Sequence, residues 1–300
     1  MNILIFGGTG YIGRKVTEEF LLDGNRVFTV SRKPAGTINR ENCEFIQWDY
    51  TSPFSLAGKP VHFDAVINLA GETIGKRWTS RVKKKITSSR FTATSFIVSA
   101  INNGTLITNV LINASGTGYY GPRGDKEITE SEQAGNDFLA NVCSEWEKEA
   151  NKVIPPATRI VTIRTGVVLG KEGALKRMAL PFRFFVGGPL SNQWLSWIHE
   201  RDLSRMIRFI AVNNNITGPV NAVAPKPVNM HEFSRIIGKA LKRPSWFPVP
   251  GILLKIILGR MSEMLLHGQR AVPKKMLDSN FEYLFPNVQS ALENIFETKK

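Results

Sequence analysis

The chain opens with the stretch Asn2-Ile3-Leu4-Ile5-Phe6-Gly7-Gly8-Thr9-Gly10-Tyr11-Ile12-Gly13. The apolar run Asn2–Phe6 is typical of a buried strand, and the segment Tyr11–Leu22 carries apolar residues at helical spacing. Between them, Gly7 would permit a tight turn, Gly10 would let the backbone approach a pyrophosphate, and Gly13 would let the helix pack closely on the strand. The pyrophosphate would then lie at the helix N-terminus, where free N–H groups favour an anion. This context favours a dinucleotide cradle over a glycine-rich turn that binds nothing.

Strand-like and helix-like segments alternate along the chain. The strand-like runs are Val27–Val30, Glu44–Trp48, Asp64–Leu69, Asn109–Ala114 and Arg159–Arg164, and the longest helix-like stretches are Thr79–Asn102 and Asp137–Asn151. Such alternation predicts an α/β fold built on a Rossmann-like, doubly wound parallel sheet. From about Gly187 onward, turns rich in Gly and Pro separate shorter elements. We therefore expect a cofactor-binding Rossmann domain over residues 1–186, to whose sheet some later elements return, and a smaller substrate-side and C-terminal region over residues 187–300.

The composition excludes several classes of protein. The 300 residues carry a net charge of +14, but the basic residues are spread along the chain without a nucleic-acid module, so we expect no specific nucleic-acid partner. The two cysteines, Cys43 and Cys143, are too few for a disulfide framework and show no metal-ligand spacing, which favours a cytoplasmic protein without a metal site. Three charged residues interrupt the longest apolar stretch, residues 251–266, so we expect no transmembrane segment.

The end of the second predicted strand bears on the choice of cofactor. An acidic residue at this place grips the ribose 2′-hydroxyl of NAD, whereas a basic residue accommodates the 2′-phosphate of NADP. Here the strand ends in Ser31-Arg32-Lys33, with no Asp or Glu in reach. A guanidinium can fork onto a phosphate, Ser31 can donate a hydrogen bond, and Lys33 adds charge. These residues predict NADP(H) as the cofactor, and the alternative is an ordinary basic loop.

Further motifs follow the predicted strands in a fixed order. They are Asp49 after the third strand, Asn68-Leu69-Ala70-Gly71-Glu72 after the fourth, Ser115–Gly121 after the fifth, Arg164–Gly170 at the sixth, and Trp197–Asp202 beyond it. Together with the glycine pattern and the basic strand end, they resemble the extended short-chain dehydrogenase/reductase superfamily over nearly the whole chain. The resemblance is closest to bacterial epimerase family proteins that resemble nucleotide-sugar epimerases and carry a C-terminal domain of unknown function.

The resemblance implies a role for each motif. Asp49 would hydrogen-bond the adenine, and Leu69, Ala70 and Gly71 would line the ribose and nicotinamide side. Ser115 occupies the position of the catalytic serine, and the further catalytic candidates are Thr117 and Tyr119. The residues expected to bind the cofactor are Gly7, Thr9, Gly10, Tyr11, Ile12, Gly13, Ser31, Arg32, Lys33, Asp49, Leu69, Ala70, Gly71, Glu72, Arg90 and Arg164. Glu72 and Arg90 could instead form a charge pair on a helix surface. Long helices of this superfamily often pair, which also implies a homodimer.

The superfamily's main catalytic pair is missing from the helix predicted after the fifth strand. That pair is a tyrosine, which acts as acid and base on the substrate oxygen, and a lysine four residues later, which lowers the pKa of the tyrosine. In this chain Phe138 or Leu139 stands at the tyrosine position and Val142 or Cys143 at the lysine position, depending on the register. Substitute proton carriers could be Tyr119, Tyr120, Glu72 or His199, although packing is the commoner role for Tyr120 and a hydrogen-bonded loop position for His199.

Three hypotheses about function follow. The leading one is an NADP-dependent oxidoreductase or epimerase that acts on a small polar substrate such as a sugar, with an active site that lacks the tyrosine–lysine pair. The second is an NADP(H)-binding sensor or regulatory protein without turnover, suggested by the missing pair. The third is a basic adaptor on nucleic acid or an anionic membrane, suggested by the charge and by the amphipathic stretch Leu253–Leu266. A helix docked on the domain body is the commoner explanation of that stretch.

Overall fold

The structure is a computed structural model. It describes residues 1–32, 40–50, 52–54, 62–180, 182, 186–189, 193–242, 247–249 and 268–297. Two predictions fall outside these ranges: the contribution of Lys33 to cofactor binding and the amphipathic stretch Leu253–Leu266.

Seven parallel strands form the central sheet. They are β1 (Asn2–Phe6), β2 (Arg26–Ser31), β3 (Cys43–Gln47), β4 (Ala65–Asn68), β5 (Val110–Gly116), β6 (Arg159–Thr165) and β7 (Gly218–Ala222). Across the sheet they lie in the order β3-β2-β1-β4-β5-β6-β7, and every neighbouring pair is parallel. The chain therefore starts in the middle of the sheet, winds to one edge and then to the other. This topology confirms the predicted Rossmann-like α/β fold, and it places a crevice where the strand order reverses, at the carboxyl ends of β1 and β4.

Helices connect the strands and continue beyond them. Within the described ranges the helices are α1 (Tyr11–Leu22), α2 (Ser80–Asn102), α3 (Phe138–Ala150), α4 (Ala174–Met178), α5 (Glu200–Val212), α6 (Met230–Ala240), α7 (Lys274–Asp278) and α8 (Val288–Glu297), and a 3₁₀ turn covers Thr117–Tyr120. Short strand pairs outside the central sheet join His62–Phe63 to Ile107–Thr108, Glu127–Ile128 to Arg270–Ala271, Val167–Leu169 to Trp197–His199, Val186–Pro189 to Phe247–Val249, and Trp194–Leu195 to Val228–Asn229.

The central sheet is buried because its strands are apolar on both faces. In β1, Ile3 and Ile5 belong to the hydrophobic core that α1 and α5 cover, whereas Leu4 and Phe6 belong to the core that α2 covers. Parallel strands need such helices on both faces, because their connections cross over the sheet. The loops after the strands leave from the carboxyl edge of the sheet, where ligands bind in folds of this kind.

Most of the predicted elements are confirmed. All six predicted strands, counting Asn2–Phe6, and the helices predicted at α1, α2 and α3 are present, with ends that shift by at most two residues. The sequence does not predict β7, because Gly218 and Pro219 at its start are typical of a turn. With β7 and α5, the later part of the chain returns to the sheet, and the division of domains at residues 186 and 187 stays a prediction. Within the described ranges, no helix has the length and apolar character needed to cross a bilayer.

Candidate functional site

The glycine loop after β1, residues Gly7–Gly13, is shaped by close backbone approach. Gly7 has a φ of 77°, and a Cβ on it would lie 2.9 Å from the carbonyl carbon of Leu69, so the loop lies directly against the end of β4. A Cβ on Gly13 would overlap the carbonyl oxygen of Gly7, because the first turn of α1 packs on the loop. These two positions accept no side chain, and they hold the start of α1 at the crevice of the sheet.

Gly10 leaves a groove at the N-terminus of α1. Among the described residues, a Cβ on Gly10 would have only the oxygen of Gly7 within 4 Å, at 3.2 Å. Gly10 is exposed and is the N-cap of α1, to which it contributes no side-chain hydrogen bond. The first N–H groups of a helix have no partners within the helix, so they are available to an anion in this groove. The groove therefore fits the pyrophosphate of a dinucleotide.

The two residues after Gly10 point into the protein. The side chain of Ile12 packs against the hydrophobic core under β1. The hydroxyl of Tyr11 is buried, and it shares the space around Gly170 with Oε2 of Glu200, the first residue of α5. Burial raises the pKa of this carboxyl. The first turn of α1 is thereby packed against the start of α5.

The ends of β2 and β3 lie on the other side of the glycine loop. The hydroxyl of Thr9 donates a 2.7 Å hydrogen bond to Oγ of Ser31, the last residue of β2, which ties the loop to this strand. Arg32 follows and is exposed. Asp49, after β3, is also exposed, and burial raises the pKa of its neighbour Tyr50 to about 12. Because β2 and β3 pair in parallel with Ser31 opposite Gln47, Ser31, Arg32 and Asp49 lie at one edge of the sheet, and their contacts with a cofactor stay predictions.

A buried polar network holds the end of β4. Asn68 donates to Oγ1 of Thr94 at 2.9 Å and to Oδ1 of Asn113 at 2.7 Å, and its own Oδ1 accepts from the N–H of Ala70. Trp146 on α3 donates to the same Thr94 oxygen at 2.7 Å. The backbone at Leu69, Ala70 and Gly71 is therefore fixed beside the glycine loop, where the flat rings of a cofactor would need it.

Glu72 and Arg90 do not form the charge pair that the sequence left open. The Arg90 guanidinium donates to the carbonyl oxygens of Glu72 and Ile86 at 2.9 and 3.1 Å, and it lies against Gly71. The Glu72 carboxylate instead accepts a 2.7 Å hydrogen bond from Lys76, which lowers the pKa of Glu72. Arg90 thus supports the loop after β4, and any contact of either residue with a cofactor stays a prediction.

Ser115, at the carboxyl end of β5, belongs to a buried charged group. Its hydroxyl donates a 2.6 Å hydrogen bond to Oε1 of Glu147 on α3. Arg164 on β6 binds the same carboxylate at both oxygens, from Nε at 2.9 Å and from Nη2 at 2.8 Å. All three residues are buried. Although burial opposes its charge, the hydrogen bonds to Glu147 raise the pKa of Arg164 above its usual value.

The remaining contacts of Arg164 connect Ser115 to later parts of the chain. Nη1 donates to the hydroxyl of Tyr120 at 3.0 Å and to the carbonyl oxygen of Glu130 at 3.1 Å. The Tyr120 hydroxyl in turn lies 2.6 Å from Oδ1 of Asn221 on β7. We call Ser115, Tyr120, Glu147, Arg164 and Asn221 the polar cluster. Tyr120 is fully buried within it, which agrees with a packing role.

The other two catalytic candidates follow Ser115 in the 3₁₀ turn. Thr117 is buried at the start of this turn. The ring of Tyr119 is half-buried and lies under the Arg164 guanidinium, whose central carbon is 3.5 Å from the ring centroid. The structure therefore brings Ser115, Thr117 and Tyr119 close to one another, with Arg164 joining Tyr119 to the polar cluster.

The register of α3 against the strand end decides which residues face Ser115. A Cβ on Gly118 would lie 3.2 Å from Cβ of Leu139, and a Cβ on Gly116 would lie 3.8 Å from Sγ of Cys143. Of the alternatives left open, Leu139 and Cys143 therefore face the end of β5. Burial is the main cause that raises the pKa of the Cys143 thiol to about 11. A thiol with that pKa is protonated and unreactive at neutral pH.

His199 lies apart from these groups. It is buried as the N-cap of α5, where its Nδ1 accepts a 3.1 Å hydrogen bond from the N–H of Arg201. Its ring stacks on Phe285 with 3.9 Å between the centroids. Burial lowers its pKa to about 4, so the imidazole is neutral at physiological pH. The hydrogen bond that the sequence favoured for His199 is present, but the residue ends a short strand and does not lie in a loop.

Sequence reasoning did not single out Glu147 or Asn221. Glu147 follows Cys143 by one helical turn. Its signal in the sequence is a carboxylate on the side of the helix that carries buried residues, where charged residues are rare. Asn221 stands in a strand that the sequence does not predict. Both residues join the site through contacts that are distant in sequence, and no local motif announces such contacts.

The chain is similar to proteins of known family and structure. Residues 3–222 match the model of the NAD dependent epimerase/dehydratase family, and residues 249–295 match a domain of unknown function, DUF1731. The epimerase family protein YfhF of Bacillus subtilis is 39% identical over 100% of this chain and 99% of its own length. The structure of human epimerase family protein SDR39U1 (isoform 2) with NADPH superimposes with a TM-score of 0.88 at 34% identity, over 99% of both chains. A UDP-glucose 4-epimerase from Thermus thermophilus, 15% identical with a TM-score of 0.77 over 99% and 98% of the two chains, shares the fold.

Proposed function

Because the chain belongs to the NAD-dependent epimerase/dehydratase family, we propose that it is an NADP-dependent oxidoreductase or epimerase that acts on a small polar substrate such as a sugar. The observation that carries this proposal is the meeting of two features at one edge of the sheet. The glycine loop opens its groove at the end of β1, and the Ser115 hydroxyl lies at the end of β5, with β4 as the one strand between them. A cofactor in the groove would thus extend towards a polar group that can contact a substrate oxygen.

The cofactor preference rests on the end of β2. Since Ser31 accepts the hydrogen bond from Thr9, its own hydroxyl proton is free to be donated to a 2′-phosphate oxygen. The exposed guanidinium of Arg32 would pair with the same phosphate. The human relative was solved with NADPH, which supports this assignment. When bound, the nicotinamide would supply hydride transfer, while Gly10, Ser31, Arg32 and Asp49 would hold the dinucleotide.

The residues of this chain would then act on the substrate oxygen. Ser115 would bind that oxygen, with Thr117 and Tyr119 beside it. Leu139 and Cys143 are the members of the two alternatives that face the strand end. They would stand where the superfamily places its tyrosine and lysine, and neither exchanges a proton at neutral pH. The sequence singled out two phenols near Ser115. Tyr120 is fully buried and donates its proton to Asn221, so the half-buried Tyr119 is the better placed to exchange a proton with a substrate. The site would therefore have a hydroxyl that binds the substrate, but it would transfer protons without the superfamily's tyrosine–lysine pair.

A second candidate function follows from that same helix. The apolar side chain of Leu139 and the protonated thiol of Cys143 leave α3 without the superfamily's proton-exchanging pair. A protein with this helix could bind NADP(H) and signal the bound state to a partner without turning over. It would share the cofactor groove with the leading candidate and differ from it in having no substrate.

One experiment separates the two candidates. NADPH binding is measured by titration of its fluorescence. Hydride transfer is then measured in single turnovers in both directions, from NADPH to a panel of sugar-like carbonyl compounds and from the matching alcohols to NADP⁺. An enzyme should show transfer that falls on the order of a hundredfold in Ser115→Ala, because the group that contacts and orients the substrate oxygen is lost. NADPH affinity should be unchanged in this variant, and Cys143→Ala, the matched control at a side chain next to Ser115, should transfer hydride normally. Binding without any transfer would favour the sensor, and absence of NADPH binding would contradict both candidates.

A further inference from the structure

We propose that Glu147 is a positioning residue that engages the hydroxyl proton of Ser115, so that Ser115 accepts a hydrogen bond from a hydroxyl group of the substrate. The substrate would thus be recognised in its alcohol form rather than as a carbonyl compound. This inference rests on the proposed function in one respect, which is that the substrate contacts Ser115.

The guanidinium of Arg164 has hydrogen-bond donors and no acceptor. Its Nη1 donates to the Tyr120 hydroxyl, so that oxygen accepts from Arg164 and must direct its own proton elsewhere. The available acceptor is Oδ1 of Asn221, at 2.6 Å. The amide nitrogen of Asn221 then donates to the carbonyl oxygen of Val272 at 2.9 Å. Every hydrogen bond on this side of Arg164 therefore has a fixed direction.

The other side of Arg164 fixes the charge of Glu147. Nε and Nη2 each donate to one carboxylate oxygen, and this bidentate pair is buried, with 4% of the Arg164 side chain and 9% of the Glu147 side chain exposed. A carboxylate held in this way is ionised and can only accept hydrogen bonds. The 2.6 Å contact between Oγ of Ser115 and Oε1 of Glu147 must therefore be a hydrogen bond that Ser115 donates.

Cys143 is the other polar neighbour of Ser115, and it does not alter this direction. Its thiol stays protonated, because burial raises its pKa to about 11, and a neutral thiol is a much weaker acceptor than a carboxylate. The thiol can at most donate a weak hydrogen bond to one lone pair of the Ser115 oxygen. A second lone pair then remains for a ligand.

The consequence is a preference between two chemical forms of a substrate. A serine whose proton is engaged presents an acceptor, which an alcohol can satisfy by donating its own proton. A carbonyl oxygen in the same place would face the Ser115 oxygen with no proton between them. Two acceptors in contact leave both unsatisfied, which typically costs on the order of tenfold or more in affinity.

The direction of the Ser115 hydrogen bond can be tested without any substrate. A hydroxyl proton held 2.6 Å from a carboxylate should give a slowly exchanging, downfield proton NMR signal. Ser115→Ala should abolish this signal, and Glu147→Gln should abolish it or shift it strongly. Glu145→Gln, an exposed position on the same helix, is the matched control and should leave the signal in place. If the wild-type protein gives no signal that depends on both Ser115 and Glu147, the proposal is overturned.

The preference itself is tested with cyclohexanol and cyclohexanone, which differ in the alcohol or carbonyl group alone. Saturation-transfer NMR on NADP⁺-saturated protein should show the alcohol bound at least about tenfold more tightly, and Ser115→Ala should remove the preference. Because Ser115→Ala removes a single oxygen, this arm does not depend on whether Glu147→Gln folds. Equal binding of the two probes, or tighter binding of the ketone, would overturn the proposal. A normal Ser115 signal with neither probe bound would instead contradict the role of Ser115 in the proposed function.

Discussion

The glycine loop and the polar cluster lie at the same edge of one sheet, but they are built differently. The loop Gly7–Gly13 uses seven consecutive residues, and its shape follows from the absence of side chains at Gly7, Gly10 and Gly13. The polar cluster takes its five residues from five separate elements, and Tyr120 and Asn221 are 101 positions apart. One region is made by backbone geometry and the other by side-chain contacts across the fold.

This difference decides how each region can fail. A loop made by backbone approach fails when a side chain fills its space. At Gly10, where a Cβ would meet a single described atom within 4 Å, this happens without moving the rest of the protein. A cluster of buried charges fails when one partner is removed, because the remaining charge is left without compensation in a poorly solvated place. We therefore expect changes in the loop to affect ligand binding, and changes in the cluster to affect stability as well as chemistry.

The largest expected effect is a complete loss of cofactor binding in Gly10→Val. The backbone at Gly10 is extended, with a φ of −70° and a ψ of 169°, so valine is tolerated there and the protein should fold. Its branched side chain would fill the groove that the pyrophosphate needs. NADPH titration should give no binding at concentrations that saturate the wild type, with an unchanged circular dichroism spectrum.

Gly104→Ala is the matched control for this substitution. Gly104 has a φ of 76° and open space around it, so alanine should cost about 1–2 kcal/mol of stability through backbone strain alone. Its NADPH affinity should equal that of the wild type. If Gly10→Val kept its NADPH affinity, the pyrophosphate would bind elsewhere, and the glycine loop would not be the cofactor-binding region.

The second prediction concerns the polar cluster. Arg164→Met removes the bidentate partner of the buried Glu147 carboxylate, and we expect the free energy of unfolding to fall by about 3–5 kcal/mol. Urea denaturation measures this loss. Lys126→Met, which breaks the exposed pair with Glu132, is the control and should cost less than about 1 kcal/mol.

The double variant Arg164→Met/Glu147→Met sharpens the interpretation. If the loss comes from an uncompensated charge, the double variant should be more stable than Arg164→Met alone, because no buried carboxylate remains. A loss of less than about 1 kcal/mol in Arg164→Met would show that solvent reaches Glu147, and the cluster would then resemble an ordinary surface pair.

The same difference explains how much the sequence predicts. The glycine loop, the strands beside it and the basic end of β2 are all read from consecutive residues, and their predicted elements are confirmed. Ser115 and Arg164 are singled out only through the resemblance to a superfamily, which carries no information about Glu147. The bidentate pair between Arg164 and Glu147 requires β6 and α3 to be neighbours, and β7 brings Asn221 to them from a segment typical of a turn. Such contacts depend on the completed fold, so no local pattern could predict them.

A third prediction concerns the pH dependence of stability, which we expect to depend on His199, a residue outside the polar cluster. The pKa of His199 is lowered from 6.5 to about 4 in the folded protein, mainly by burial. In the unfolded chain the imidazole takes up its proton near pH 6.5, whereas in the folded protein it does so only near pH 4. Lowering the pH through this window therefore favours the unfolded chain, and we expect His199 to account for a loss of about 3 kcal/mol.

Urea denaturation at pH 7, 5.5 and 4.5 measures this effect in the wild type and in His199→Asn. Asparagine can still cap α5, so the variant should lose stability less steeply than the wild type as the pH falls. His62→Asn, at an exposed position, is the control and should follow the wild type. If the free energy of unfolding changed equally with pH in all three proteins, the lowered pKa of His199 would be contradicted. The buried carboxylates would then have to account for the pH dependence.

The smallest expected effect is at Arg32, beside the glycine loop, where a side chain and not the backbone would contact the cofactor. Arg32→Ala should weaken NADPH binding ten- to hundredfold, which corresponds to about 1.4–2.7 kcal/mol, because one charge-assisted bidentate contact to the 2′-phosphate is lost. NADH lacks that phosphate, so its affinity should not change, and the variant should lose its preference between the two cofactors. Titrations of both cofactors with the wild type, Arg32→Ala and the exposed control Arg81→Ala at one salt concentration measure this difference.

Equal affinities of the wild type for NADPH and NADH would contradict the assignment of Arg32. An equal loss for both cofactors would instead place Arg32 against a group that they share, such as the pyrophosphate. The pyrophosphate site would then consist of the glycine loop and the Arg32 side chain.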